Sequence, residues 1–278
     1  MAFTPFAASV DKLTMVAYEG FGFVEFMNSW SNEYISKRIT CAFPYRYLWQ
    51  CSDGTIIQWG NETKKVRPIR IEFNPNKCDK DSLFEVLKRL KYPELTRTDL
   101  AFDFEEELSE YFIIDGLSRK SNIWRSGSGK LETFYIGAPS SDLRIRIYNK
   151  ALEQNMKDAV WWRIEAQLRK GVLDKTYNRF GIIPNPFDGL TIQKEVMNEI
   201  KDIKKRAMAY YLIHEPNALG ELSHPTRYKY KKLLADLAAS KELKIDMDAI
   251  YSTHWSELKK SIDQYVGVAK SHDIILID

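Results

Sequence analysis

Tyr148 stands in the stretch Arg144-Ile-Arg-Ile-Tyr-Asn-Lys150, where Arg144, Arg146 and Tyr148 alternate with Leu143, Ile145 and Ile147. On a strand, that period puts two guanidiniums and a phenol on one face and three aliphatic side chains on the other. A phenol with an ordinary pKa of about 10 reacts at neutral pH only when a base, a metal or flanking cations assist it. Arg146 and Lys150 are such flanking cations. A tyrosine so placed can attack a phosphodiester.

Carboxylates occur in the same kind of pattern nearby. Residues 69–74 place Arg70, Glu72 and Asn74 on one strand face, and residues 96–104 place Arg97, Asp99, Ala101 and Asp103 opposite Leu100, Phe102 and Phe104. Residues 160–169 set Arg163, Glu165, Gln167 and Arg169 against Trp162, Ile164, Ala166 and Leu168. Asp99 and Asp103, four apart on a strand, are separated by about 13 Å, too far to share one ion without a bend. One of them with Glu165 is a better pair for Mg2+ or Mn2+, hard cations that take oxygen ligands and polarise a phosphodiester. Glu72 is a reserve ligand. Cross-strand ion pairs on a solvated sheet face account for the same residue types, so the residues alone leave both readings open.

The elements that must carry these groups read as an α+β fold: an antiparallel-rich central sheet with helices on one face and a polar catalytic face on the other, followed by a helical C-terminal region. Strands are expected at 12–17, 69–74, 96–104, 131–137, 143–149 and 160–169, with a hairpin across 45–60 turning at Ser52-Asp53-Gly54. Helices are expected near 20–30, at 81–91 with Pro93 as the stop, and at 192–213, 226–241 and 247–268. The Pro and Gly-containing stretch 180–189 suggests a division into an α+β part, 1–185, and a helical part, 186–278.

Composition narrows the class. With 278 residues, 44% hydrophobic and 28% charged, the chain is of ordinary globular type. No apolar run approaches the length of a membrane span, and the N-terminal residues have no secretory pattern, so a cytoplasmic protein without membrane partners is expected. Cys41, Cys51 and Cys78 lack the spacing of a disulfide framework or thiolate zinc site and read as buried small hydrophobes. The net charge of +3 is modest, but positive charge gathers at 201–207 and 227–232, which suits phosphate contacts.

The block "RIRIYNKALEQ", with "IRIEFNPNK" (69–77), "LTRTDLAFDFEEELSEY" (95–111), "LETFYIG" (131–137) and "WWRIEAQLRKGVLD" (161–174), resembles the rolling-circle replication initiators of small Gram-positive plasmids, the trans-acting Rep family of the RepC/RepD type. The likeness extends to "AMAYYLIHEPNALGEL" and "RYKYKKLL" and covers about residues 60–235. It implies that Tyr148 cleaves one strand at a plasmid origin, leaving a 5′-phosphotyrosine and a free 3′-OH, with topoisomerase-like relaxation of supercoiled DNA. It also implies a Mg2+ or Mn2+ cofactor, a homodimer, a host replicative helicase as partner, and double-strand origin DNA as substrate, presented as an extruded hairpin. Arg146 and Lys150 would support Tyr148, while Arg144 and Arg163 would hold phosphates. The origin-reading segment would fall at 224–232, with Arg227, Tyr228, Lys229, Tyr230, Lys231 and Lys232 on DNA.

Many rolling-circle nickases bind their metal through a His-hydrophobe-His motif. None is present here, where His214, His224, His254 and His272 are isolated, so carboxylates would have to serve. Rival readings are a conjugative relaxase-like nickase, a tyrosine recombinase, and an origin-binding or copy-control protein without chemistry. A recombinase needs a helical catalytic domain, and Tyr148 sits on an expected strand.

Overall fold

A computed structural model describes residues 4–20, 22–30, 35–40, 44–61, 63, 65–156, 158–194, 200–238 and 244–271. The chain divides into two compact units that interleave in sequence. One, called here the tyrosine unit, comprises Met1–Ala7, Phe102–Ala166 and Asn185–His254; the second comprises Ala8–Ala101, Gln167–Pro184 and Trp255–Asp278.

In the second unit, β1 (Ala7–Glu19), α1 (Phe23–Ser29), β2 (Ile35–Thr40), β3 (Tyr47–Cys51), β4 (Ile56–Trp59), β5 (Ile69–Phe73), α2 (Lys80–Leu87) and most of β6 (Leu90–Phe104) follow in order. The strands lie in the order β2-β3-β4-β5-β1-β6, with antiparallel pairing from β2 through β5 to β1. The β3–β4 hairpin turns at Ser52-Asp53-Gly54, where Asp53 accepts from the Thr55 amide at 2.7 Å and Gly54 has a φ of 87°. Asp79 caps α2 by accepting from the Asp81 and Ser82 amides. That helix ends at Leu87, well before Pro93, which lies inside β6. Tyr92, just before it, has a φ of 49°, so the chain bends there and Pro93 belongs to a strand instead of marking a helix stop.

The tyrosine unit contains β7 (Tyr111–Asp115), β8 (Ser121–Arg125), β9 (Leu131–Ile136), β10 (Leu143–Asn149), α3 (Lys150–Glu153) and the first part of β11 (Trp162–Arg169). After the short helices α4 (Lys170–Leu173) and α5 (Tyr177–Phe180) of the second unit, it resumes with β12 (Leu190–Lys194), α6 (Ile203–His214), α7 (His224–Ala238) and β13 (Lys244–Ile245). The long α8 (Met247–Lys270) contributes residues to both units. Strands β11-β10-β9-β8 are neighbours in that order, and β13-β12-β7 form a separate three-stranded sheet. The expected helix at 192–213 is therefore corrected at its start. Residues 190–194 pair antiparallel with β7, Ile192 opposite Ile113, and the helix begins only at Ile203. Ile192, Val196 and Ile200 happen to recur at helical spacing, and a short apolar run does not separate strand from helix by period alone.

The α+β class with an antiparallel sheet and C-terminal helices is borne out. The alternation of 143–149 does what its pattern requires: Ile145 and Ile147 are fully buried and face Ile136 and Phe134 across the β9–β10 ladder. Arg146 then lies opposite Tyr135, and Tyr148 opposite Thr133. Gly137 starts the connection between these strands with a φ of 93°, and a Cβ there would lie 2.6 Å from the Leu143 carbonyl oxygen. Only glycine fits that close approach. Among the described residues, no helix is long and apolar enough to cross a membrane. Cys51 is buried and Cys78 partly so; Cys41 and His272 lie outside the described residues.

Candidate active site

β10 delivers Tyr148 at its end, and Asn149 turns the chain by accepting from the Leu152 amide at 2.8 Å, so α3 starts at Lys150. The Lys150 and Ala151 amides both donate to the Trp161 carbonyl, at 2.7 and 3.0 Å. That fixes the tyrosine against the start of β11. The phenol is 2% exposed, and its hydroxyl donates to Glu165 Oε2 at 3.4 Å. Burial pushes its pKa above the ordinary value, and the Glu165 charge adds to the rise, while Arg163 and Arg146 oppose it. Tyr148 is thus a neutral phenol at physiological pH.

Cations surround it. The Arg146 guanidinium lies over the Tyr148 ring at 3.6 Å from the centroid, and Lys150 Nζ lies at 5.5 Å. Arg144 covers the neighbouring Tyr135 ring at 4.0 Å. Glu153, one turn along α3, accepts from Arg146 at 3.1 Å and also pairs with Lys150. Burial raises the Glu153 carboxyl, but Lys150 and Arg146 outweigh it and hold the group below its usual range. Nε of both Arg144 and Arg146 is buried without an acceptor.

Beneath this cluster Asp103 and Arg163 form a buried, two-bonded pair at 2.7 and 2.8 Å, 4% and 6% exposed. Trp161 Nε1 donates to the same Asp103 oxygen at 2.8 Å. In the second unit, Arg97 grips both oxygens of Asp99 at 2.8 and 2.6 Å. Glu72 there pairs with Lys12 at 2.7 Å and with Arg70. Asp99 and Asp103 are thus committed to guanidinium forks, and Glu165 faces the phenol. Among the described residues, no group of three or more His, Cys, Asp or Glu is arranged to hold a metal.

The basic segment 227–232 lies in α7, within the helix expected at 226–241, and its residues part company accordingly. Tyr230 is buried in a cluster with Leu212, Ile213 and Leu234. Tyr228 is 69% exposed, and Lys229 and Lys232 are also exposed. Arg227 and Lys231, four apart, line one cavity. Glu153, Tyr135 and Trp161 were not among the expected site residues. Glu153 had a signal, lying three positions after Lys150 just beyond the tyrosine strand; Tyr135 became visible only with the β9–β10 register.

The fold and this cluster define a class: an α+β protein with a tyrosine set among arginines on a sheet. Residues 116–208, which include Tyr148, match the Rep_trans family model, described as replication initiation factor. A replication initiation protein of Staphylococcus aureus is 32% identical over 210 residues, covering 72% of this chain and 64% of that protein. Another from the same organism is 32% identical over 212 residues, covering 73% and 65%. The chain thus spans a little under two thirds of these relatives. A solved rolling circle replication initiator protein from Geobacillus stearothermophilus aligns over 72% of this chain and 90% of that one, at 19% identity and a TM-score of 0.43. The family model and the Staphylococcus aureus relatives bear out the resemblance to the trans-acting Rep family of replication initiation proteins.

Proposed function

We propose that this chain initiates plasmid rolling-circle replication by nicking and rejoining one strand of its origin through Tyr148. The observation that carries the reading is the Tyr148 hydroxyl held on Glu165 beneath the Arg146 guanidinium, inside the segment matched to replication initiation factors. In the forward step the Tyr148 oxygen bonds to the scissile phosphorus as its proton passes to Glu165. The bond to the 3′ oxygen breaks, and that oxygen takes a proton and leaves as a free 3′-OH. The 5′-phosphotyrosine keeps the ester energy, so rejoining by the reverse attack needs no ATP. Arg146 and Lys150, released from Glu153, neutralise the phosphate as charge develops, with Arg144 alongside. Arg163, committed to Asp103, serves to position the β11 strand that carries Glu165.

The Mg2+ or Mn2+ requirement, topoisomerase-like relaxation, a homodimer, recruitment of a host helicase, the extruded-hairpin substrate, a cytoplasmic setting and origin reading by the helical region belong to the same proposal. With Asp99 and Asp103 held by arginines, no step is assigned to the ion. The test is Tyr148→Phe assayed on supercoiled origin DNA. Intact origin binding with nicking abolished supports the reading. Nicking at the wild-type rate overturns it in favour of another nucleophile, and a wild-type protein that binds but never nicks points to a copy-control role.

A further inference from the structure

A cavity of about 240 Å3 opens in the tyrosine unit, bounded by the β7–β8 connection, the segment after α6, and α7. Its floor is apolar, with Ile113, Phe134, Leu212 and Leu234. Asp115 lies on its wall but is consumed by Arg119, which donates to both its oxygens at 2.8 to 3.1 Å. That pair leaves no net charge. Arg227 and Lys231 supply the remaining charge, and neither has a carboxylate partner among the described residues. Arg227 donates to the Gly220 and Leu222 carbonyls at 2.6 and 3.0 Å, and its Nε is buried with no acceptor. Among the described residues, Lys231 Nζ reaches only the Ser118 hydroxyl, at 3.1 Å. Asn217 and Ser121, also in the lining, bond to each other, the Ser121 hydroxyl donating to Asn217 Oδ1 at 3.5 Å and Asn217 Nδ2 donating to the Ser121 carbonyl at 3.2 Å.

Two uncompensated cations beside an apolar floor call for a ligand with an anionic end and a flat, weakly polar body. The volume is just under the range of about 300–1,000 Å3 for small-molecule sites, which fits one small unit and nothing longer. We propose that this cavity binds a single nucleotide unit, its phosphate on Arg227 and Lys231 and its base on the floor beside Phe134. The same chemistry can come from a free nucleotide or from one residue of a single-stranded DNA. The site does not depend on Tyr148 or on the nicking reaction.

Titration calorimetry of the full chain with thymidine 5′-monophosphate, inorganic phosphate and a short oligodeoxythymidylate tests this. The monophosphate should bind saturably and about ten-fold or more tighter than phosphate, and the Arg227→Gln, Lys231→Gln double variant should lose about ten-fold or more. Competition between monophosphate and oligonucleotide identifies DNA as the source; monophosphate binding that the oligonucleotide leaves untouched identifies the free nucleotide. Tyr148→Phe should bind like wild type, which separates this site from the nicking proposal. Equal affinity for phosphate and monophosphate, no saturable binding of either nucleotide probe, or unchanged affinity in a folded double variant would each overturn the inference. If the double variant does not fold, Lys231→Gln, an exposed change, must still weaken the monophosphate several-fold.

Discussion

The Arg146 guanidinium carbon sits 3.6 Å from the centre of the Tyr148 ring while the same guanidinium is paired to Glu153. The residue that covers the phenol is therefore held by a carboxylate, whose place a DNA phosphate would take in the proposed nicking step. Lys150 is held by the same carboxylate. Glu153 occupies the charge that a scissile phosphate would otherwise find.

Replacing Glu153 with glutamine should release both cations for DNA. Affinity for single-stranded origin DNA should rise, and the slope of log affinity against log salt should steepen by about 0.7 for each phosphate gained. Anisotropy titrations over a range of salt read this directly. An unchanged slope would show that the carboxylate does not compete with phosphate.

Glu165 accepts the Tyr148 hydroxyl and in the proposed step takes its proton, so Glu165→Gln should keep the strand and lose the base. Nicking should fall by about 10²–10⁴-fold. The phenol pKa should also come down from its wild-type position, because the Glu165 charge is one of the causes of its rise. Nicking near the wild-type rate in a folded variant removes Glu165 from the chemistry.

Asp103 and Arg163 are a different case, since burial sets their energetics. Asp103→Ala removes the carboxylate that both Nε and Nη2 of the buried Arg163 guanidinium bond to and should cost about 3–5 kcal/mol in stability. The double change Asp103→Leu, Arg163→Met removes both charges and should recover much of that loss. Denaturant melts of the two variants decide it: a double variant no better than the single means that the pair adds net stability beyond cancelling its own desolvation.

Much of this was legible in the sequence because β-strand period is a local property. The alternation of 143–149 gave the strand, its buried aliphatics and the shared face of Arg146 and Tyr148, all of which the structure contains. The charged faces of 96–104 and 160–169 were legible too, but what their charges do was not. Whether Asp103 meets an arginine or an open face depends on strand neighbours, which no local pattern encodes. The same limit applies to 190–194, where an apolar spacing suited to a helix was overridden by pairing with β7. The helix over 227–232 was legible, but that Tyr230 is buried and Tyr228 exposed depends on what packs against it.

Alkaline pH offers a further check on burial of the phenols. Tyr148, Tyr177, Tyr251 and Tyr265 all have pKa values raised above the ordinary 10.0, in each case chiefly by burial. Tyr177 also donates to Asp263 at 2.6 Å, whose charge reinforces the shift. A group with a raised folded-state pKa holds its proton longer when folded than when unfolded. Its contribution is complete below pH 10 and declines as pH climbs toward the folded-state value. Stability should therefore be level through the neutral range and fall above about pH 10, by up to about 1.4 kcal/mol per pH unit for each such tyrosine. Urea midpoints measured between pH 8 and pH 11 report the fall, and Tyr177→Phe should make it shallower. A midpoint that holds constant to pH 11 would mean that these hydroxyls ionise in the folded chain as readily as in the unfolded one.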